Sequence, residues 1–452
     1  MNAEISPHAG SVLLSFRAEN VRSFRDELEL SLLATSLAEP DVPRSLPWRE
    51  DGEPIRVLPA ACVLGANASG KSNVLRAMAD MRLLVLDSFR SGNPGGGMPR
   101  KPFLLDPVSA AKPSRFAIDV VLSGVRHRYG FTFDDERVLD EWAFSYPRGR
   151  ARLLFHRHAQ PEVALGAGDR AKGRAVAELL RPNALYLSTA AAVGHPALTP
   201  LYQWFQRNLL LAEAGSRSRR WAFTAELLRD PDRRDQVLAF IRAADLGVTD
   251  AQLRKLDPQM LERMRRAVRV LAGTEGESDD DEIEPSAFLQ PGVTLSHRGV
   301  AGDVEFDVAD ESLGTLVWLG LAGPIVEAIA HGSVLLADEL EASLHPNLVA
   351  HLVGLFQAPT TNPRRGQLIF NSHEASLLGN SVSDRTVGRD QVWFSEKLPD
   401  GATRLYPLSD LNPRKEEAVG RRYLAGRYGA TPIIASEEFA EIADLISAGV
   451  DK

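Results

Sequence analysis

A single cysteine, Cys62, stands among 452 residues, which excludes an internal disulfide framework and suits a reducing compartment. It falls within the apolar run Ala60-Ala61-Cys62-Val63-Leu64, where a small buried core residue is expected. No uninterrupted apolar stretch reaches the ~18–20 residues of a spanning helix. Leu316 to Ile329 comes nearest, and Gly320, Gly323, Pro324 and Glu327 break it. The N-terminus lacks the basic-then-apolar layout of a signal peptide, so a cytoplasmic chain without a membrane partner is expected. Internal repeats and heptad arrays are absent too, against a long coiled coil. His297, His331 and His345 show no metal-ligand spacing and no cysteine partner exists, so a zinc site is not expected. Net positive charge is also missing: the formal value is −8. Seven of the ten residues from Glu275 to Glu284 are acidic and account for nearly all of it, so the balance says little about the remaining surface.

What is present is an ordinary globular composition, 44% hydrophobic and 25% charged, in a chain long enough for two or three units. Its most informative stretch is Gly65-Ala66-Asn67-Ala68-Ser69-Gly70-Lys71-Ser72, of the form G-x-x-x-x-G-K-[ST]. Residues 60–64 read as a buried parallel strand before it. Behind it, Val74, Leu75, Met78, Met81 and Val85 recur at helical spacing. Glycines let the backbone wrap so that N–H groups point at phosphate oxygens, and the helix adds its positive dipole end. In that setting Lys71 would bridge the β- and γ-phosphates of a nucleoside triphosphate, and the Ser72 hydroxyl would ligate Mg²⁺, with Asn73 continuing the binding segment.

A second half of the site lies far along the chain. Val334-Leu335-Leu336-Ala337-Asp338-Glu339 is an apolar strand ending in two carboxylates. Asp338 would hold the metal and Glu339 would act as general base on water. Another apolar strand, Gln367-Leu368-Ile369-Phe370, runs into Asn371-Ser372-His373, whose histidine can reach the γ-phosphate. Upstream, Ser312 and Gly314 open an apolar helix, where both can donate to a phosphate. A strand-end acid pair, a lone histidine or a Ser-x-Gly cap is each commonly structural. Their order along one chain gives them weight together.

In that order the chain resembles the soluble ABC-type ATPases that include the SMC, RecF and OLD proteins, and among them the RloA/AbiL-like AAA family ATP-binding proteins. Four segments carry the likeness: Asn20-Val21-Arg22-Ser23-Phe24, Gly65–Ser72, Asp338-Glu339-Leu340-Glu341-Ala342-Ser343-Leu344-His345-Pro346, and Tyr423-Leu424-Ala425-Gly426-Arg427-Tyr428-Gly429-Ala430. The resemblance implies an α/β P-loop NTPase of ABC-ATPase type: a two-lobed head with a mixed sheet, an antiparallel β subdomain and a helical insertion. It further implies ATP and Mg²⁺ as cofactors, Arg22 among the nucleotide-binding residues, and His373 as the switch histidine. Two subunits would sandwich two ATP molecules, Ser312 and Gly314 of one closing on the γ-phosphate held by the other. Glu341 to Pro346 would cross that interface. A gated effector encoded nearby, in defence against phage or mobile DNA, is the implied output; a transporter subunit and a DNA-repair clamp are the alternatives. The chain departs from the pattern twice. No glutamine occurs between Lys71 and Gln160, and the signature reads Ser-Leu-Gly-Thr.

The expected division is an N-terminal lobe over 1–165, a helical insertion over 166–287, a C-terminal lobe over 288–408 and a helical appendage over 409–452. Strands are expected at 12–19, 27–32, 116–122, 125–133 and 138–146, with a hairpin turn at Ser123-Gly124. Within the insertion, helical spacing is read at 175–180, 200–211, 235–244 and 258–271. Arg263, Arg265, Arg266 and Arg269 on one side of the last, and Arg217, Arg219 and Arg220 beside Trp221, are candidate nucleic-acid contacts. Phe24 is a candidate to stack on an adenine ring.

Overall fold

The strand that carries Cys62 is buried on both faces, and the fold is organised around it. The computed structural model of the protein describes residues 11–39, 41–46, 53–158, 162–168, 170–212, 217–253, 293–381 and 383–432, with a few isolated positions outside these ranges. Most of the expected helix over 258–271, the acidic run, and most of the C-terminal appendage beyond residue 432 lie outside the described residues; of that helix's arginines, Arg263 and Arg266 are described, helical and exposed.

A six-stranded mixed sheet forms the centre, in the order Leu209–Ala212, Val334–Ala337, Gln367–Ser372, Ala60–Leu64, Val392–Lys397, Thr403–Pro407. The first five strands are parallel and the last pairs antiparallel. Alternation along Ala60–Leu64 sends Ala61 and Val63 to one core and Ala60, Cys62 and Leu64 to another. The first core contains Val74, Met78 and Met81 of the helix Lys71–Asp87, together with the inner face of a second sheet. The other core contains Val349, Val353 and Phe356 of the helix Pro346–Gln357.

The second sheet is antiparallel and seven-stranded, in the order Val163–Leu165, Arg152–His158, Val138–Tyr146, Val125–Phe133, Ser114–Leu122, Val12–Glu19, Leu28–Ser31. Ser123 (φ 49°) and Gly124 (φ 77°) make its tightest hairpin, with the positive φ at both positions that a type I′ turn demands. Together the two sheets give the α/β head with an antiparallel β subdomain.

The stretch expected to be wholly helical is not. The helix read over 200–211 is Thr199–Arg207; Leu209–Ala212 instead adds in parallel to Val334–Ala337 as the edge of the central sheet. Helical spacing could not reveal this, because an edge strand of four apolar residues satisfies either period. Val248–Leu253 likewise pairs with Val293–Gly299, which pairs with Gly302–Asp307. The helices Arg217–Arg229 and Pro231–Arg242 lie against the long helix Leu313–His331.

That long helix is apolar enough, by length and composition, to cross a membrane, but most of it is packed inside the protein. Pro324 sits within it and cannot donate to the Gly320 carbonyl. Thr224 answers from the neighbouring helix: its hydroxyl donates to Leu319 O at 2.9 Å and accepts from Gly323 N at 3.1 Å. The helix ends at Gly332, which is left-handed at φ 67°.

Candidate nucleotide site

The phosphate loop leaves the central sheet at Leu64 and feeds the helix beginning at Lys71. Its backbone is shaped by close contact on the inner side. A Cβ at Gly65 would lie 2.2 Å from Ser395 O; at Gly70, where φ is +101°, it would lie 2.3 Å from Thr403 Oγ1. Both glycines are therefore required by space, and Gly70 by conformation as well. Ser69 is buried, and its carbonyl accepts from the hydroxyls of Ser395 and Thr403, each at 2.9 Å. Thr403 also meets Ser23 Oγ at 2.8 Å, and Asn73 Nδ2 donates to the same Ser23 oxygen at 2.8 Å. Asn67 and Ala68 form the exposed tip after half-buried Ala66, with Ala68 left-handed at φ 60°. No side chain caps the helix at Gly70 and no acid occupies its first turn. Asn73 N donates to Gly70 O at 2.9 Å, and the N–H groups of Lys71 and Ser72 ahead of it lie at the helix end, where anions bind.

Lys71 is buried and donates to the carbonyls of Gly65 at 2.8 Å and Ala66 at 2.9 Å. Burial holds its ammonium below the usual lysine range, opposed by the charges of Glu341, Glu339 and Asp338. Three acids from the distant strand end thus act on the loop lysine.

Convergence runs through a residue the sequence reading passed over. Asn371 is fully buried at the end of the strand Gln367–Ser372, between the loop strand and the strand that leads to Asp338. Its Nδ2 donates to Asp338 Oδ1 at 2.5 Å and to Ser72 Oγ at 3.2 Å, while its Oδ1 accepts from Glu339 N at 2.5 Å. The available signal was a polar residue closing an apolar run, since a buried amide must find partners. Asp338 is buried, with Arg76 at 3.8 Å from its other oxygen, whereas Glu339 is exposed beside it. Glu339 adopts φ 52°, a left-handed backbone that is unusual for a non-glycine residue. His373 is exposed at the rim; its N–H donates to Glu341 Oε1 at 2.6 Å. Glu341 Oε2 is buried without a partner among the described residues.

Other expected residues stand elsewhere. Arg22 is left-handed (φ 55°) and holds Asp80 in a two-pronged pair at 2.5 and 2.9 Å, with Lys101 adding a third contact at 2.9 Å. Asp80 belongs to the body of the loop helix, so the Arg22 guanidinium braces that helix. Ser312 caps the long helix by accepting from Thr315 N at 3.1 Å. Gly314 packs against Ser343 O, 2.9 Å from where a Cβ would be. Gly314 thus lies against the segment after Glu339. Phe24 is wholly buried and cannot stack on a base. Trp221 donates to Leu316 O at 3.1 Å and packs on Gly320, and Arg220 is buried beside it. The helix interface thus takes up Trp221 and Arg220 of that candidate group.

The residues present fit a magnesium triphosphate. They offer a glycine cradle, an uncapped helix N-terminus, a buried lysine, and a hydroxyl and carboxylate joined by one amide, which together suit a hard cation with phosphate. Fold and site define a P-loop ATPase head. The chain belongs to the family described as "AAA domain, putative AbiEii toxin, Type IV TA system", whose model matches residues 60–379. No curated protein matches it. Solved structures that it is similar to include an Smc head bound to the C-winged helix domain of ScpA, 13% identical with TM-score 0.41, covering 88% of this chain and 99% of that one. Another is the SMC head domain from Thermotoga maritima, 11% identical with TM-score 0.33, covering 87% and 98%. A third is the Smc head with an extended coiled coil bound to the C-terminal domain of ScpA, from Pyrococcus furiosus, 13% identical with TM-score 0.37, covering 89% and 98%.

Proposed function

We propose that this protein binds ATP with Mg²⁺ and hydrolyses it, and that the cycle opens and closes a head-to-head dimer. The observation that carries the reading is the amide of Asn371 spanning Ser72 and Asp338, because it ties the phosphate loop to the acidic strand end. Lys71 and the loop N–H groups of residues 65–73 would bind the phosphates. Ser72 and Asp338 would hold Mg²⁺, which neutralises phosphate charge and orients the γ-phosphoryl group. Glu339, exposed beside buried Asp338, would take the proton from the attacking water. His373, on the same rim, would steady the γ-phosphate side.

Gly314 lies beside Ser343, and Ser312 and Gly314 are proposed to act on the partner's nucleotide. A partner effector is the proposed output, with the mixed segment over 166–287 as its reading surface. The family description, which refers to a toxin and a type IV toxin–antitoxin system, supports a role in defence against phage or mobile DNA. The RloA/AbiL-like motifs point the same way, and a cytoplasmic setting fits the single buried cysteine.

Glu339→Gln tests the assignment. It should retain ATP binding, turn over at least ~100-fold more slowly, and accumulate as a dimer in light scattering with ATP present. Wild-type turnover in that variant would remove Glu339 as the base.

A further inference from the structure

The antiparallel sheet carries a second constellation, distant in sequence from the phosphate loop. Strand Arg152–His158 contains His-Arg-His at 156–158, and the period of two places both imidazoles on one face. On the adjoining strand, Asp140 pairs directly with His158. His156 Nε2 lies 2.9 Å and His158 Nδ1 3.0 Å from the same oxygen, Asp140 Oδ1. Two ring nitrogens and a carboxylate oxygen thus fall within 4.8 Å of one another. The opposite face of the strand makes this arrangement rigid. Phe155 and Arg157, which alternate with the histidines, are buried there. Phe155 packs against Tyr186 with tilted rings 4.4 Å apart, and the Arg157 guanidinium donates to the carbonyls of Ala184, Arg181 and Pro182. The strand cannot roll without breaking those contacts, so the two rings are held in register at the surface.

From this geometry we infer a binding site for a divalent transition metal, with His156, His158 and Asp140 as ligands and water completing the shell. Two imidazoles with one carboxylate suit Zn²⁺ or Co²⁺, whereas Mg²⁺ prefers oxygen throughout. His158 is 80% exposed in its side chain and His156 42%, so the ion would enter from solvent and keep open positions. This differs from the expectation of no zinc site: the His156-x-His158 spacing was passed over, and its carboxylate partner comes from a different strand. Binding would clip the strands 138–146 and 152–158 together without touching the nucleotide site.

The test uses the full chain without an affinity tag, in the absence of nucleotide. Co²⁺ titration followed by visible absorption, and Zn²⁺ titration by calorimetry, should show one site per chain that excess Mg²⁺ does not displace. Zn²⁺ should also raise the melting temperature, since it binds the folded state. His156→Ala, His158→Ala and Asp140→Asn should each abolish the stoichiometric signal and the thermal shift. All three should retain wild-type ATP binding and circular dichroism, which separates metal loss from misfolding. Failure of the wild-type chain to bind, or undiminished binding by the three variants, would overturn the site.

Discussion

Asn371 shows how one neutral side chain can organise charged ones. Its amide touches Ser72, Asp338 and the backbone of Glu339, so it sets the distance between the proposed metal ligands without supplying a charge. Asn371→Ala should therefore raise the Mg²⁺ concentration for half-maximal turnover by ~10–100-fold, as loss of an outer-shell partner does. An unchanged Mg²⁺ requirement would reduce Asn371 to packing. Gln367, on the same strand, is also wholly enclosed, yet binds backbone groups of Leu13 and Leu58 and serves the sheet junction. Burial of a polar residue alone did not tell the two apart; position at the strand end did. Lys71, Ser72, Asp338 and Glu339 were legible because their chemistry fixes residue type and spacing. Arg22 was read without its partner Asp80, because an arginine's contacts depend on where a carboxylate lies.

Among the elements, Glu141 performs the widest structural task. It is fully buried, and burial pushes its carboxyl above the usual range despite the opposing Arg157. Its oxygens accept from Tyr186 N at 2.6 Å, Leu187 N at 3.0 Å and Tyr129 OH at 3.1 Å. The antiparallel sheet is thereby fastened to the helix Tyr186–Ala192, whose first turn has no side-chain cap of its own. Glu141→Ala would strand those donors and leave Arg157 buried without its nearest opposite charge, at a cost of about 3–5 kcal/mol in denaturant unfolding. A change below ~0.5 kcal/mol would show that water replaces the carboxylate. The sequence displayed the alternating strands of residues 12–19, 116–122, 125–133 and 138–146 plainly, since each has an apolar face of period two. Leu209–Ala212 gave no such sign. Its place in the central sheet is set by pairing with Val334–Ala337, a contact across more than a hundred residues.

At the scale of the whole molecule, the proposed dimer makes a distinctive demand. If Ser312 and Gly314 serve the partner's nucleotide, Lys71→Ala and Gly314→Glu should each be inactive alone, yet a mixture should regain turnover. The mixed dimer holds one site in which both halves are intact. A mixture as silent as its components would place the signature outside the reaction. The central claim concerns one magnesium triphosphate shared by the loop and the acidic strand end, and a crystal structure of Glu339→Gln with ATP and Mg²⁺ tests it most directly. Phosphates should lie along residues 65–72, with the cation roughly 2.0–2.1 Å from Ser72 Oγ and Asp338 in its first or second shell. Nucleotide bound elsewhere, or a cation held by neither residue, would contradict the account.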